Sequence, residues 1–309
     1  MDTFNYSIII PHKNTPKILQ RCLDSIPRRN DIQVIVVDDN SDPNIVDFNH
    51  FPSMNDNHIE IIYTKEGKGA GYARNVGLKH AKGKWLLFAD ADDFYTPNAW
   101  NVFDDYLNTD NDIIYFCIDC VDSDTLNKTT RNLKNNFVIK NYIEKKRDSE
   151  RYLRYTCWEP WNKLFRHNFV KKHKLSFEEI IKGNDAMFVI QAGHLASQIT
   201  AIPNNLYTVT YRKNSLSFTL DKKHIDSIFA LKIRMNKFYK SINLPSLQVS
   251  VWYEIKQIYN LYGIKEAINY IKYARIQDVN LCYLLLSDWK GILRFIKKQI
   301  NKTLSRNQK

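Results

Sequence analysis

The first 118 residues alternate between two hydrophobic rhythms. Tyr6-Ser-Ile-Ile-Ile-Pro11 is a continuous apolar run closed by proline, the pattern of a strand buried on both faces. Thr15-Pro16 then offers an N-cap residue followed by proline at the first helical position. Ile18, Leu19, Cys22, Leu23 and Ile26 share one face of the helix that follows. Strand-like runs recur at Ile32 to Val37, Ile59 to Tyr63, Trp85 to Ala89 and Ile113 to Ile118. Between them lie a glycine-rich loop, Gly67 to Gly71, a predicted helix over Tyr72 to Lys82, and a helix opened by Thr96-Pro97.

Apolar strands alternating with helices predict an α/β fold whose mostly parallel sheet is covered on both faces. In such sheets ligands bind beyond the carboxyl ends of the strands. Two acidic clusters fall at strand ends, Asp38-Asp39 and Asp90-Ala91-Asp92-Asp93. Leu126 to Tyr155 is polar and weakly patterned, which leaves a helix or a connecting hairpin open. Trp158 to Lys174 and Asn184 to Ala196 read as helical, and Leu206 to Arg212 as a strand. From Asp221 onward the pattern is helical, with breaks near Asn243-Leu244-Pro245 and Gly263.

A chain of 309 residues with 44% hydrophobic and 25% charged residues can bury a core without staples. Five cysteines at irregular spacing do not form a disulfide framework and fit a reducing, cytoplasmic setting. No apolar leader precedes the first strand, and no apolar run is long enough to span a bilayer. The net charge of +12 is unevenly placed. Residues 221–309 hold 17 Lys and Arg against 6 Asp and Glu, whereas residues 1–220 hold 28 against 27. That contrast divides the chain into a near-neutral part, 1–220, and a basic helical part, 221–309.

Asp90 and Asp92, one residue apart at a strand end, can meet a divalent cation and a ribose hydroxyl together. Hard carboxylate oxygens suit Mg²⁺ or Mn²⁺; a helix-capping acidic loop is the alternative. Asp38 or Asp39 can accept a hydrogen bond from a base or a ribose, or can simply close an Asx-turn. The loop Gly67-Lys-Gly-Ala-Gly71 is neither a Walker loop nor a dinucleotide fingerprint. Arg74 lies at a helix start, opposed to the dipole, and therefore needs a partner. Trp158 and Trp161 suit either sugar stacking or the core. Cys117 and Cys120 read as small core residues, and the eight histidines show no metal-ligand spacing.

Taken in order, these blocks resemble family 2 glycosyltransferases of the GT-A fold. The resemblance is carried by Ser7-Ile-Ile-Ile-Pro11 with Asn14, Val36-Val37-Asp38-Asp39-Asn40-Ser41, Gly71-Tyr-Ala-Arg-Asn-Val-Gly77 and Ala81 to Asp93. Trp161 to Arg166, Phe177-Glu178, Gly183 to Phe188, Tyr211-Arg212 and Ser215 to Ser217 extend it to most of residues 1–220. It implies a catalytic domain over 1–220 and an inverting transfer from a UDP-sugar, as in bacterial enzymes of surface polysaccharide or lipopolysaccharide synthesis. Pro11, Asn14, Asp38, Asp39, Arg74, Asp90 and Ala91 would hold the nucleotide-sugar. Asp92 with Asp90 would bind the metal, and Asp185 would be the general base. Trp158, Trp161 and Asn184 would line the acceptor side, with the acceptor a glycan or a lipid-linked saccharide. In one departure, Asn184 stands where the family's Glu-Asp pair has its glutamate. Asp185 also suits a helix N-cap, and Glu178 or Glu179 is a weaker alternative base.

Trp289, Ile292, Leu293, Ile296, Ile300 and Leu304 fall opposite six Lys and Arg residues, a basic amphipathic helix. Residues 288–309 can therefore lie on an anionic membrane surface or dock on the protein. The basic tail and the tyrosine-rich run Trp252 to Tyr273 also suit a nucleic-acid binder. No recognised nucleic-acid module appears, however, and that reading leaves the acidic clusters unexplained. A non-catalytic sugar-nucleotide-binding protein is the other alternative, raised by Asn184.

Overall fold

The computed structural model describes residues 4–130, 133–212 and 221–277. The predicted membrane-facing helix at 288–309 lies outside them. The chain divides into two compact units, 1–218 and 219–309.

The first unit is built on an eight-stranded sheet. Its strands are β1 (Tyr6–His12), β2 (Ile32–Asp39), β3 (Ile59–Thr64), β4 (Trp85–Phe88), β5 (Phe94–Tyr95), β6 (Ile113–Asp122), β7 (Lys163–Arg166) and β8 (Ile199–Tyr211). Their order is β3-β2-β1-β4-β7-β6-β8-β5. The block β3-β2-β1-β4 is parallel throughout, as the apolar runs predict. Beyond it the sheet is mixed: β7 runs antiparallel to both β4 and β6, and β5 antiparallel to β8, while β6 and β8 are parallel.

Alternate residues of each central strand feed two cores, because successive side chains point to opposite faces. Ile8, Ile10, Val34, Val36 and Leu87 pack with Leu19 and Leu23 of α1 (Pro16–Asp24) and with Trp100 and Phe103 of α3 (Ala99–Asp105). Ile9, Ile35, Val37, Leu86 and Phe88 pack the other way, against Ala73 of α2 (Ala70–His80) and Phe188 and Val189 of α7 (Ala186–Leu195). Val138 and Ile139 of α4 (Leu133–Ile143), Leu153 of α5 (Ser149–Thr156) and Phe169 of α6 (His167–Lys172) complete that face. The ambiguous stretch from Leu126 to Tyr155 is therefore largely helical.

One predicted helix is corrected. Trp158 to Lys174 contains β7, and only His167–Lys172 is helical. Leu164 and Phe165 are fully buried on opposite faces, one in each core. A four-residue apolar run sandwiched this way cannot be told from helix by periodicity.

In the second unit α8 (Lys222–Ser241), α9 (Trp252–Tyr262) and α10 (Ile264–Ile276) share a core of Ile225, Phe229, Ile233, Ile255, Ile258 and Tyr270. The breaks fall where the left-handed backbone is found, at Asn243 (φ 57°) and Gly263 (φ 84°). Lys232 and Glu254 form a shielded ion pair at 2.8 Å between α8 and α9. No helix among the described residues is long and apolar enough to cross a membrane.

Candidate active site

The carboxyl ends of β2, β1 and β4 lie side by side, which brings Asp38-Asp39 and Asp90 to one edge of the sheet on either side of β1. Strands are spaced about 4.8 Å apart, so the two clusters are separated by roughly two strand widths.

Asp38 and Asp39 differ in how their oxygens are satisfied. Asp38 is buried, and its oxygens are taken up locally. Oδ2 accepts from His12 Nδ1 at 2.7 Å and from the Ser41 hydroxyl at 2.6 Å, and Oδ1 accepts the Ser41 N–H at 2.9 Å. Burial pushes its pKa up, but these donors outweigh that effect and hold it below the usual carboxylate range. The Thr15 N–H donates to His12 Nε2, so Nδ1 carries the proton. Asp38 thereby braces the loop, with each of its oxygens already holding a donor. Asn14 does similar work. Its N–H donates to Ser41 Oγ, and its Oδ1 accepts the Asp42 N–H at 2.8 Å. Thr15 makes no side-chain cap; α1 begins on Pro16. Pro11, near the end of β1, pairs with Val37.

Asp39 is different. Oδ2 accepts the Gly69 N–H at 2.7 Å and lies 3.6 Å from Lys13 Nζ. Oδ1 is buried and has no hydrogen-bond partner. A buried carboxylate oxygen without a donor is costly unless a ligand supplies one. Gly69 sits at φ 95°, a conformation open to glycine, and its amide opens α2.

Arg74, on the second turn of α2, is 5% exposed. Its Nη2 donates to Asp90 Oδ1 at 2.6 Å and its Nη1 to Asn184 Oδ1 at 2.8 Å. The guanidinium lies over the Phe177 ring, 5.4 Å from its centroid. An arginine near a helix N-terminus opposes the dipole and needs a partner, and Arg74 has two.

The turn Asp90 to Asp93 closes through the Asp93 N–H to Asp90 O at 3.0 Å. Strand β8 holds it: the Tyr207 hydroxyl accepts the Asp90 N–H, the Thr210 hydroxyl donates to Asp92 O, and the Thr210 N–H donates to Asp93 Oδ1. Arg21 donates to Asp92 O from the α1 side. Asp93 is a tie to β8 rather than a helix cap, and burial with the neighbouring Asp92 and Asp90 raises its pKa well above normal. Asp92 is raised first by burial and then by Asp90, with Arg212 and Arg21 opposing. Ala91 is buried in the core beneath the turn.

Two repelling carboxylates on a braced turn fit a divalent cation, which would relieve that repulsion. Among the described residues no three His, Cys, Asp or Glu side chains gather as a cage. Mg²⁺-type sites commonly use one or two carboxylates and complete their shell with phosphate oxygens and water, and the donor set here matches that kind.

Asp185 stands at the N-cap position of α7, but its side chain makes no capping hydrogen bond. Burial pushes its pKa up to about 6, with Arg74 lowering it and Glu159 and Asp90 raising it. The alternative bases are placed differently: Glu179 lies at the Asn75 amide and 4.0 Å from Lys68. Trp158 is partly exposed, its indole N–H donating to Tyr155 O. Of the two readings open for Trp161, the structure shows the core one. It is 6% exposed and stacks on Tyr207 at 5.8 Å, inside the core. Lys163, also buried, donates to Asn162 Oδ1 at 2.6 Å, and burial lowers its pKa to about 8. Cys22, Cys117, Cys120 and Cys157 are free and buried. A surface recess of about 600 Å³ at residues 49–58 contains none of the site side chains.

Tyr207, Thr210 and Arg21 were not legible as site residues, because their roles arise from strand and helix neighbours remote in sequence. Glu159 had a signal, standing between Trp158 and Trp161.

A parallel strand edge with a braced acidic turn, inside a mixed sheet flanked by helices, is the architecture of the GT-A fold. The family model described as Glycosyl transferase family 2 matches residues 7–174, and the chain belongs to that family. The protein named "Putative glycosyltransferase EpsH" of Bacillus subtilis (strain 168) is 25% identical over 242 residues, covering 75% of this chain and 68% of EpsH. Among solved structures, S. aureus TarS 1–349 in complex with UDP-GlcNAc aligns with a TM-score of 0.59 at 18% identity, over 84% of this chain and 73% of that one. A mannosyltransferase from Pyrobaculum calidifontis in complex with GDP-Man and Mn²⁺ aligns with a TM-score of 0.51 at 15% identity, over 93% of this chain and 80% of that one. At such identities the structural likeness speaks to the fold.

Proposed function

We propose that this glycosyltransferase is metal-dependent and inverting, and that it moves a sugar from UDP to a hydroxyl of a glycan or lipid-linked saccharide in bacterial surface-polysaccharide synthesis. The observation that carries the reading is Arg74. One guanidinium joins the Asp90 turn to Asn184, the neighbour of Asp185, so donor-side carboxylates and candidate base lie around a single cation. The TarS structure holds UDP-GlcNAc on a similar fold, which favours a UDP-sugar donor.

Each group then has a task. The unpartnered Oδ1 of Asp39 accepts an N–H of the uracil. Asp92 and Asp90 would hold Mn²⁺ or Mg²⁺ together with the diphosphate. When bound, the cation supplies Lewis-acid stabilisation of the leaving diphosphate. The acceptor hydroxyl oxygen bonds to the anomeric carbon as the carbon–oxygen bond to the diphosphate breaks, and the configuration inverts. Asp185 takes the hydroxyl proton, a contribution of about 10²–10⁴-fold. A carboxylate with a pKa raised to about 6 is a stronger base than an ordinary aspartate yet remains mostly ionised at neutral pH.

The acceptor class follows from the resemblance to surface-polysaccharide enzymes. A basic part at 221–309, with its amphipathic pattern over 288–309, suits contact with the anionic cytoplasmic face of a membrane where such acceptors are assembled.

The test is UDP release from a panel of UDP-sugars with Mn²⁺ or Mg²⁺, beside direct titration with UDP. Slow donor hydrolysis that stops in EDTA is expected. A chain that binds no UDP with or without metal defeats the proposal; release of GDP from GDP-sugars alone would defeat the donor assignment.

A further inference from the structure

Resting on the nucleotide-sugar reading, we propose that Asn184 is a positioning residue that sets the charge of the donor site. It meets Arg74 with a neutral amide, so the guanidinium is offset through its hydrogen bonds by one carboxylate, Asp90, rather than by two, and is less fully neutralised where the diphosphate would bind.

Asn184 is held in place by the backbone around it. The Glu178 N–H donates to Asn184 O at 3.1 Å, closing the loop that carries it. Asn75 clamps the same loop on both sides, donating to Phe177 O at 2.9 Å and accepting the Phe177 N–H at 2.8 Å. Gly71 allows the approach: a methyl group there would lie 2.0 Å from Glu178 O and 3.0 Å from Asn184 Cβ. The amide orientation is also determined, because Arg74 can only donate and Oδ1 must face it.

Among the described residues, Asp90 is the one carboxylate that hydrogen-bonds Arg74. The other bond goes to a group without charge. A carboxylate at position 184 would keep the same acceptor oxygen and add one negative charge beside Arg74, Asp90 and Asp185. Because Arg74 is 5% exposed and position 184 is half-buried, that charge would be only partly screened. Its effects would have opposite signs: it would repel an anionic nucleotide and attract a divalent cation. Damage to the site's shape would weaken both.

The experiment compares the unaltered 309-residue chain with Asn184→Asp, the isosteric charge change. UDP is titrated in EDTA, and Mn²⁺ is titrated alone, both by calorimetry. The dissociation constant for UDP is expected to rise by about threefold to tenfold, and that for Mn²⁺ to fall by a similar factor, the size expected for one partly shielded charge at such range. Asn184→Ala, neutral and smaller, controls for shape and is expected to weaken both. Constants that move together in Asn184→Asp, or stay put, would overturn the charge assignment. So would an opposite-sign response in Asn184→Ala. An unaltered chain that binds no UDP would instead defeat the underlying nucleotide-sugar reading, and this proposal with it.

Discussion

The Tyr207 hydroxyl accepts the backbone N–H of Asp90 at 2.9 Å, across 117 residues of sequence. The same ring stacks on Trp161 at 5.8 Å, with the planes 12° apart. Strand β8 and the Trp161 segment thus hold the acidic turn from beneath.

Tyr207→Phe removes the acceptor of the Asp90 N–H and the hydroxyl that supports Asp93. A cost of about 1–3 kcal/mol is expected for leaving such groups unpaired. Urea unfolding reads it, and Mn²⁺-dependent UDP release should fall in parallel. An unchanged midpoint with unchanged metal response would refute the bracing role.

Asp39→Ala removes both the unpartnered Oδ1 and the acceptor of the Gly69 N–H. Hydrogen bonds to charged groups contribute about 1.5–3 kcal/mol. UDP affinity should therefore drop roughly 10- to 100-fold, measured by calorimetry. Asp38→Asn is expected to act through stability instead, since its oxygens face His12 and Ser41.

Asp185→Asn should lower transfer by about 10²–10⁴-fold while UDP binding persists. In the native enzyme the acid limb of the rate profile should fall near pH 6, where Asp185 takes up its proton. The folded-state pKa is raised, so protonation favours the folded form. That stabilisation is present below about pH 4, the unfolded value, and is lost as the pH rises through 6. Asp185→Asn should then be more stable than the native chain at pH 7.5 by roughly 1 kcal/mol, since solvent screens the half-buried side chain. A variant that is both active and less stable would remove Asp185 from the mechanism.

Gly71→Ala places a methyl group 2.0 Å from Glu178 O, backbone that cannot swing aside. Forced shifts of this kind cost about 1–3 kcal/mol. The loop bearing Asn184 moves with them, so transfer should fall more than stability alone explains, read as kcat against the fraction folded.

The sequence by itself determined the parallel half of the sheet, because strands buried on both faces must be apolar throughout. It also placed Asp39, Asp90 and Asp92 at strand ends, since a loop follows each run, and its ordered motifs marked the family. It did not separate Asp38 from Asp39. Adjacent residues on a strand point to opposite sides, and only the packed neighbours decide which oxygen finds donors. Nor could it show that Leu164 and Phe165 form a strand, that Trp161 lies beneath the acidic turn, or that Arg74 bridges Asp90 and Asn184. Those facts depend on groups up to 117 residues apart meeting in a dry interior, and contacts at such range leave no periodicity in the chain. Tertiary structure alone decides which polar groups are satisfied from within and which are left for a ligand.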